Sequence, residues 1–421
     1  MLPRFEILPN SLKVVLVPCE AESVAVGFFI AVGSRFEKKK LTGISHFVEH
    51  MLFKGTPSRK SLDITRAIEG RGGNFNAFTS EESTCYYIHL PSDYASDAIE
   101  ILSDMYLNAS VDGEEFEREK QVIIEEIKMY ADEPSSVAAE KLQRNIFPCS
   151  QLGESVSGTE ETLCPMTRTD LLKHIDDNYV SEKTVVAIAG NFDEKAVLRQ
   201  LSSLPVRKAK ARRAVKSAKR LLLRDVESFS IVKKDICQAQ LAVGYRAFGH
   251  DDDRRFALLL LDALLGRGMS SRLFQQVREK HALSYDISSG TQLFSDTGFF
   301  TISAGLHPDN SFKAISIIDR EIEKICERRV SSNELKRTKE FVIGNSRLSN
   351  ERVTSKLFYH GSTMLRHGKL IPLSENIARI RAVTTEDIYS LANEIFNPKN
   401  RSVSWVVPNS ADEKKFSKFG R

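Results

Sequence analysis

An α+β fold of two homologous domains, each a mixed, mainly antiparallel sheet with helices packed on one face, is predicted by three features of this chain. Short β-branched and aromatic runs alternate with long helical patterns, the arrangement of hairpin-like strands separated by helices. Segments of the first half recur in the second: Ala25-Val26-Gly27-Phe28 returns as Ala242-Val243-Gly244-Tyr245, and Lys183-Thr184-Val185-Val186 as Arg401-Ser402-Val403-Ser404. Offsets of 217 and 218 residues at opposite ends of each half indicate an internal duplication. Finally, a basic stretch from Pro205 to Arg224, without aromatics, divides the chain near its middle. The expected limits are therefore an N-terminal domain 1–204, a basic linker 205–228 and a C-terminal domain 229–421.

In the first half, Leu12 to Val17, Val24 to Ile30, Thr84 to Leu90 and Thr184 to Ala189 read as strands from their β-branched and aromatic content. Helical periodicity falls at 43–54, 62–70, 93–108, 113–131, 135–146, 168–178 and 193–202. Asp112 followed by Glu115 is the start signature of the fourth of these helices.

With 41% hydrophobic and 28% charged residues in 421, the chain has ordinary globular composition and length for two or three domains. No run approaches the roughly 18–20 apolar residues that span a bilayer, and Met1-Leu2-Pro3-Arg4-Phe5-Glu6 lacks the layout of a signal peptide. The expected address is the bacterial cytoplasm, with no membrane partner. Six cysteines without C-x-x-C spacing indicate neither a disulfide framework nor a thiolate metal site. The net charge of +4 is local, because residues 207–224 alone carry nine Lys or Arg and no acid. Without interleaved stacking residues that stretch does not mark a nucleic-acid partner, and a solvated connector accounts for it.

The chemistry concentrates in His46-Phe47-Val48-Glu49-His50. Residues four apart are neighbours on a helix, so His46 and His50 can share one metal while Glu49 faces the remaining coordination position. The helix at 113–131 then presents Phe116, Glu119, Ile123, Glu126, Ile127 and Tyr130 as an inward stripe. Two carboxylates in an apolar stripe need a cation, hydrogen bonds or a shifted pKa, and a metal held by the two histidines meets that need. His89 and His174 lie in a strand and a helix and read as structural.

H-x-x-E-H with a glutamate 76 residues after the second histidine resembles the inverzincin pattern of the pitrilysin/insulinase family, in its mitochondrial processing peptidase-like subgroup. The resemblance implies one Zn2+ per chain on His46, His50 and Glu126, Glu119 supporting a ligand from behind, and Glu49 as general base. Gly72-Gly73-Asn74-Phe75-Asn76-Ala77-Phe78-Thr79 is similar to the family's substrate-pairing edge strand, which implies substrate contacts at Asn74, Asn76, Ala77 and Phe78. Gly268-Met269-Ser270-Ser271-Arg272-Leu273-Phe274 and Arg278 through Tyr285 resemble the second-half signature. There Arg278 and Tyr285 are implied to reach the scissile peptide. Glu154 occupies a substrate-selecting position where relatives often carry arginine, and Ala282 replaces a common glycine; both are departures. Shifting the metal motif by the duplication offset lands near 263–268, where no ligand set exists.

The resemblance thus implies a zinc metalloendopeptidase acting on peptides or short extensions of unfolded proteins inside a closable chamber. It also implies a homodimer, or a heterodimer with a homologous chain. The alternative is a non-catalytic peptide-holding scaffold subunit. Such chains usually lose ligands, and His46, Glu49, His50, Glu119 and Glu126 are all present here.

Overall fold

A computed structural model describes residues 2–209 and 225–419, so most of the basic stretch expected as a linker lies outside the described residues. The described chain forms two compact units. One takes in 2–127, 155–209 and 347–371, the other 128–154, 225–346 and 372–419. The division therefore does not follow chain order: each half of the sequence contributes one segment to the other half's unit.

The first unit is built on six strands, β1 (Arg4–Ile7), β2 (Lys13–Pro18), β3 (Ser23–Ile30), β4 (Asn74–Thr79), β5 (Thr84–Pro91) and β6 (Thr184–Gly190). Their order is β1-β2-β6-β3-β5-β4. Only β2 and β6 run parallel, and β4 forms one edge of the sheet. The second unit repeats the pattern with β7 (Phe229–Lys234), β8 (Ala239–Ala247), β9 (Ser284–Leu293), β10 (Gly298–Leu306) and β11 (Arg401–Pro408) in the order β7-β11-β8-β10-β9. Here β7 and β11 are the parallel pair, in the places that β2 and β6 hold in the first sheet. Apart from the added β1, the two sheets share one topology, as a duplicated sequence requires.

Helices of the first half are α1 (Ile44–Leu52), α2 (Ser61–Glu69), α3 (Ala95–Asn108), α4 (Gly113–Asp132), α5 (Pro134–Ile146), α6 (Glu160–Leu163), α7 (Arg168–Asn178) and α8 (Glu194–Ser202). Those of the second half include α9 (Arg255–Leu265), α10 (Ser311–Glu327), α11 (Ser332–Ser349) and α12 (Val353–His367). One face of the first sheet, with Leu16, Val26, Phe28, Ile88 and Ile188, packs against Phe47 and Met51 of α1, Leu102 and Met105 of α3, and Phe116 and Ile123 of α4. The opposite face, with Val15, Val17, Phe29, Val185 and Ala187, is covered by Leu357 and Met364 of α12. The α+β architecture is as read from the sequence, with one helix added on the face expected to lack helices.

Burial on both faces explains why β3 and β6 are apolar almost throughout rather than alternating. Close approach of the covering helix depends on glycine. A Cβ at Gly361 of α12 would lie 2.4 Å from the Phe29 ring. In the second unit α5 covers β8 and β11, and a Cβ at Gly244 would lie 2.6 Å from Ile146. Gly27 and Gly244, the duplicated glycines, thus occupy the strand positions over which a helix passes.

Candidate metal centre

The helix that carries the metal motif is fixed at its start by a buried carboxylate. Gly43, at φ 98°, precedes α1, and Glu37 accepts the Gly43 N–H through Oε2 and the Ser45 N–H through Oε1, both at 2.8 Å. These amides belong to the donors a helix N-terminus leaves unpaired, and negative charge there suits the helix dipole. Burial pushes the Glu37 carboxyl up to about 7, with the hydrogen bonds from Ser45 and Gly43 working the other way. Phe47 of α1 stacks on Phe116 of α4, centroids 4.9 Å apart and planes within 12°, which sets the two helices side by side.

That packing brings the two motif histidines to Glu126. His46 Nε2 lies 3.8 Å from Glu126 Oε1, and His50 Nε2 lies 3.3 Å from Glu126 Oε2. The imidazole centroids are 4.6 Å apart. One ligand atom from each of the three residues falls within 4.8 Å of the others. Ligands bound tetrahedrally at the usual zinc distances stand about 3.3 Å from one another, so the set needs only a small contraction to hold such an ion. Two neutral imidazole nitrogens and one carboxylate oxygen are also the donor types zinc accepts.

Behind this triad, Glu119 accepts the His50 Nδ1–H at 2.8 Å and pairs with Lys54 Nζ at 2.5 Å. The hydrogen bond at Nδ1 turns His50 Nε2 toward Glu126, the arrangement that orients a ligating histidine. Burial lowers the His50 pKa, but the hydrogen bonds and charges of Glu119 and Glu126 outweigh it and push the group up to about 9. His46 moves the opposite way, to about 4, through burial and the neighbouring His50 charge, against the pull of Glu126. The hydrogen bond from His50 holds Glu126 below the usual carboxylate range despite its partial burial.

Glu49 points beside the triad and accepts a hydrogen bond from Thr79 Oγ1 at 2.5 Å. Burial raises its pKa, while the Thr79 bond and the His50 charge lower it. Thr79 ends β4, so the hydroxyl that holds Glu49 belongs to the sheet's edge strand. On that strand Asn74, Asn76 and Phe78 are exposed and Ala77 is half-buried.

Glu154, Arg278 and Tyr285 belong to the second unit. Glu154 is half-buried, 3.9 Å from Arg144. Arg278 sits in a π-helical segment, Phe274–Lys280, and Tyr285 in β9, where it is 82% exposed. The guanidinium of Arg278 lies over the Tyr285 ring, 4.7 Å from its centroid. His89 bonds Ser23 and His174 approaches Ser45 and Asn178, contacts that suit structural roles. Sequence reasoning passed over Glu37, Lys54 and Thr79. Of these only Thr79 had a signal, as the last residue of the stretch read as an edge strand.

Comparison with known proteins shows the family. A family model described as "Insulinase (Peptidase family M16)" matches residues 13–160, and one described as "Peptidase M16 inactive domain" matches residues 165–342. An uncharacterized zinc protease of Bacillus subtilis is 34% identical over 378 residues, covering 89% of this chain and 90% of that protein. Another, from Streptomyces coelicolor, is 32% identical over 419 residues, covering 96% and 89% respectively. In fold, the chain is similar to the crystal structure of a protease from Helicobacter pylori, with a TM-score of 0.89 at 22% identity over 97% of this chain and 100% of that one. On these matches the chain belongs to the insulinase family of peptidases, peptidase family M16.

Proposed function

We propose that this chain is a zinc-dependent metalloendopeptidase that hydrolyses peptides or short extensions of unfolded proteins. The observation that carries the reading is the convergence of His46, His50 and Glu126 within 4.8 Å, with the carboxylate of Glu49 held beside them by Thr79. His46, His50 and Glu126 would hold one zinc ion, with Glu119 fixing the tautomer of His50. Zinc, when bound in such a site, supplies Lewis acidity that acidifies water and polarises a carbonyl.

Glu49 takes the proton from the attacking water and returns it to the leaving nitrogen. Its pKa, raised by burial, suits a group that must both accept and release a proton. The open edge of β4 offers backbone donors and acceptors to an extended peptide, with Asn74, Asn76, Ala77 and Phe78 beside it. Arg278 and Tyr285 carry donors suited to the substrate carbonyl oxygen as charge develops there. Glu154 enters as a substrate-selecting residue. The assembly implied by the resemblance is a homodimer, or a heterodimer with a homologous chain, acting on peptides; the address read from the sequence is the cytoplasm. No helix among the described residues is long and apolar enough to cross a membrane.

Cleavage of a quenched fluorescent peptide, read together with bound zinc, tests this assignment. Glu49→Gln should keep stoichiometric zinc and lose roughly two to four decades of kcat. Glu126→Ala should lose the metal itself. Normal cleavage by Glu49→Gln would sink the mechanism, and full zinc in Glu126→Ala would remove that ligand.

A further inference from the structure

Two arginines of the second unit are held in opposite ways. Arg272 Nε and Nη2 donate to the two carboxylate oxygens of Glu334, each at 2.8 Å, which commits that edge of the guanidinium to a structural pair. Arg278, six residues on, has aromatic rings as its neighbours instead. Its guanidinium lies 4.6 Å from the centroid of the Phe274 ring and 4.7 Å from that of Tyr285. Among the described residues the nearest carboxylate oxygen, on Glu279, stands 3.9 Å from Nε, beyond hydrogen-bond reach. Two rings thus neighbour the cation, and among the described residues no hydrogen bond engages its N–H donors.

Phe274 has no evident duty in the core. Its chain neighbours on the buried side, Leu273 and Val277, are fully buried in the core of the unit, whereas Phe274 is only half-buried and packs outside that cluster. The backbone returns the chain so that β9 brings Tyr285 back to the stack. Ala282, at φ 50°, donates to Arg278 O at 3.0 Å, and Leu283 donates to Val277 O at 2.9 Å. This is the paired closure of a helix end by a left-handed residue.

We propose that Phe274 is the positioning residue for Arg278: its ring, together with that of Tyr285, retains the guanidinium by cation–π contact, and the N–H donors are thereby presented to a peptide carbonyl oxygen. The proposal rests on the reading of Arg278 as a donor to substrate. A guanidinium is planar and weakly hydrated, so aromatic faces retain it without competing for its N–H groups. An arginine fixed before substrate arrives loses less side-chain freedom on binding, and the benefit appears in the reaction step.

Phe274→Leu keeps apolar bulk and removes the ring face, whereas Phe274→Tyr keeps the face. Phe274→Leu should lower kcat/KM about three- to tenfold, the range of a partly exposed cation–π contact, and Phe274→Tyr should restore it. In an Arg278→Ala background, Phe274→Leu should cost nothing further. A readout independent of metal and turnover is the rate at which phenylglyoxal modifies Arg278 in the chelator-treated protein, followed by mass spectrometry. That rate should rise several-fold in Phe274→Leu and stay at the parent value in Phe274→Tyr. An unchanged modification rate, or equal additive losses in both backgrounds, overturns the proposal. Loss of cleavage in Arg278→Ala with none in Phe274→Leu overturns it alone. Undiminished cleavage in Arg278→Ala overturns it together with the reading of Arg278 on which it rests.

Discussion

Replacing Glu119 by glutamine tests the tautomer control of the metal site without touching a proposed ligand. Glu119 is 4% exposed and serves two donors, His50 Nδ1 and Lys54 Nζ. A glutamine can accept from only one of them. If its oxygen faces Nδ1, its NH2 group meets the Lys54 ammonium. If it faces Lys54, the NH2 group meets Nδ1 and drives the imidazole proton onto Nε2, the atom that faces Glu126. Loss of such a supporting carboxylate weakens metal binding about 10- to 100-fold, or about 1.4–2.7 kcal/mol.

The deficit should also depend on pH. His50 holds its proton up to about 9 in the metal-free protein, so binding of zinc below that pH must displace it. At pH 7 the displacement costs the parent about 3 kcal/mol. With one of the two raising carboxylates neutralised, the His50 pKa falls and the variant escapes part of that cost. The affinity gap should therefore be widest near pH 9 and narrow toward pH 7. Competition against a chromogenic chelator at several pH values measures it, with circular dichroism confirming the fold. Equal zinc affinities at pH 9, or a gap that widens as pH falls, would refute the argument.

Glu37 predicts a pH-dependent contribution to stability. Its folded pKa of about 7 lies above the ordinary 4.5, so its favourable contribution is complete below about 4.5 and lost as pH rises through 7, a change of about 3 kcal/mol at most. Melting temperatures of Glu37→Gln relative to the parent should shift in the variant's favour between pH 5 and pH 8, and a shift the other way contradicts the account. Ala282 holds a left-handed conformation normally given to glycine, so Ala282→Gly should stabilise the second unit by about 0.5–1 kcal/mol after the entropy of the freer unfolded chain is set against the relieved strain. Thermal unfolding checks this, and an unchanged or lower midpoint counts against it.

What the sequence disclosed depended on how local the signal was. His46, Glu49 and His50 are legible because one helical turn places them, and α3, α4, α7 and α8 carry enough turns of apolar periodicity to be read closely. By contrast β1, four residues half-exposed at the sheet edge, has no alternation to read. The stripe on α4 showed that Glu119 and Glu126 needed a cation, but helical spacing treats both carboxylates alike, and the family resemblance separated them. Thr79 and Lys54 became site residues only through packing. A threonine 30 positions from Glu49 carries no mark of the bond it makes. The π-helical winding of Phe274–Lys280 was equally hidden, since its side-chain pattern differs little from that of an α-helix.

The exchange of covering helices was beyond the reach of pattern reading for a more instructive reason. Duplication suggests two domains that each fold upon themselves, and the expected limits 1–204 and 229–421 embody that inference. Yet α5, from the first half, covers β8 and β11, while α12, from the second, covers β2, β3 and β6. The two helices stand at matching places in the repeat, each following a long helix that precedes it by a short turn. Periodicity identifies the apolar face of such a helix but not the sheet it meets. Removing α12 would expose Val15, Val17, Phe29 and Val185 and strip the partners from Leu357 and Met364, at about 1.5–3 kcal/mol for each large side chain. The first half, which holds every proposed metal ligand, therefore depends on the second for the integrity of its sheet. That dependence holds whatever the second copy contributes to substrate binding, and Leu260, Leu261, Ala263 and Leu264 of α9 serve as core near the place the metal motif would occupy.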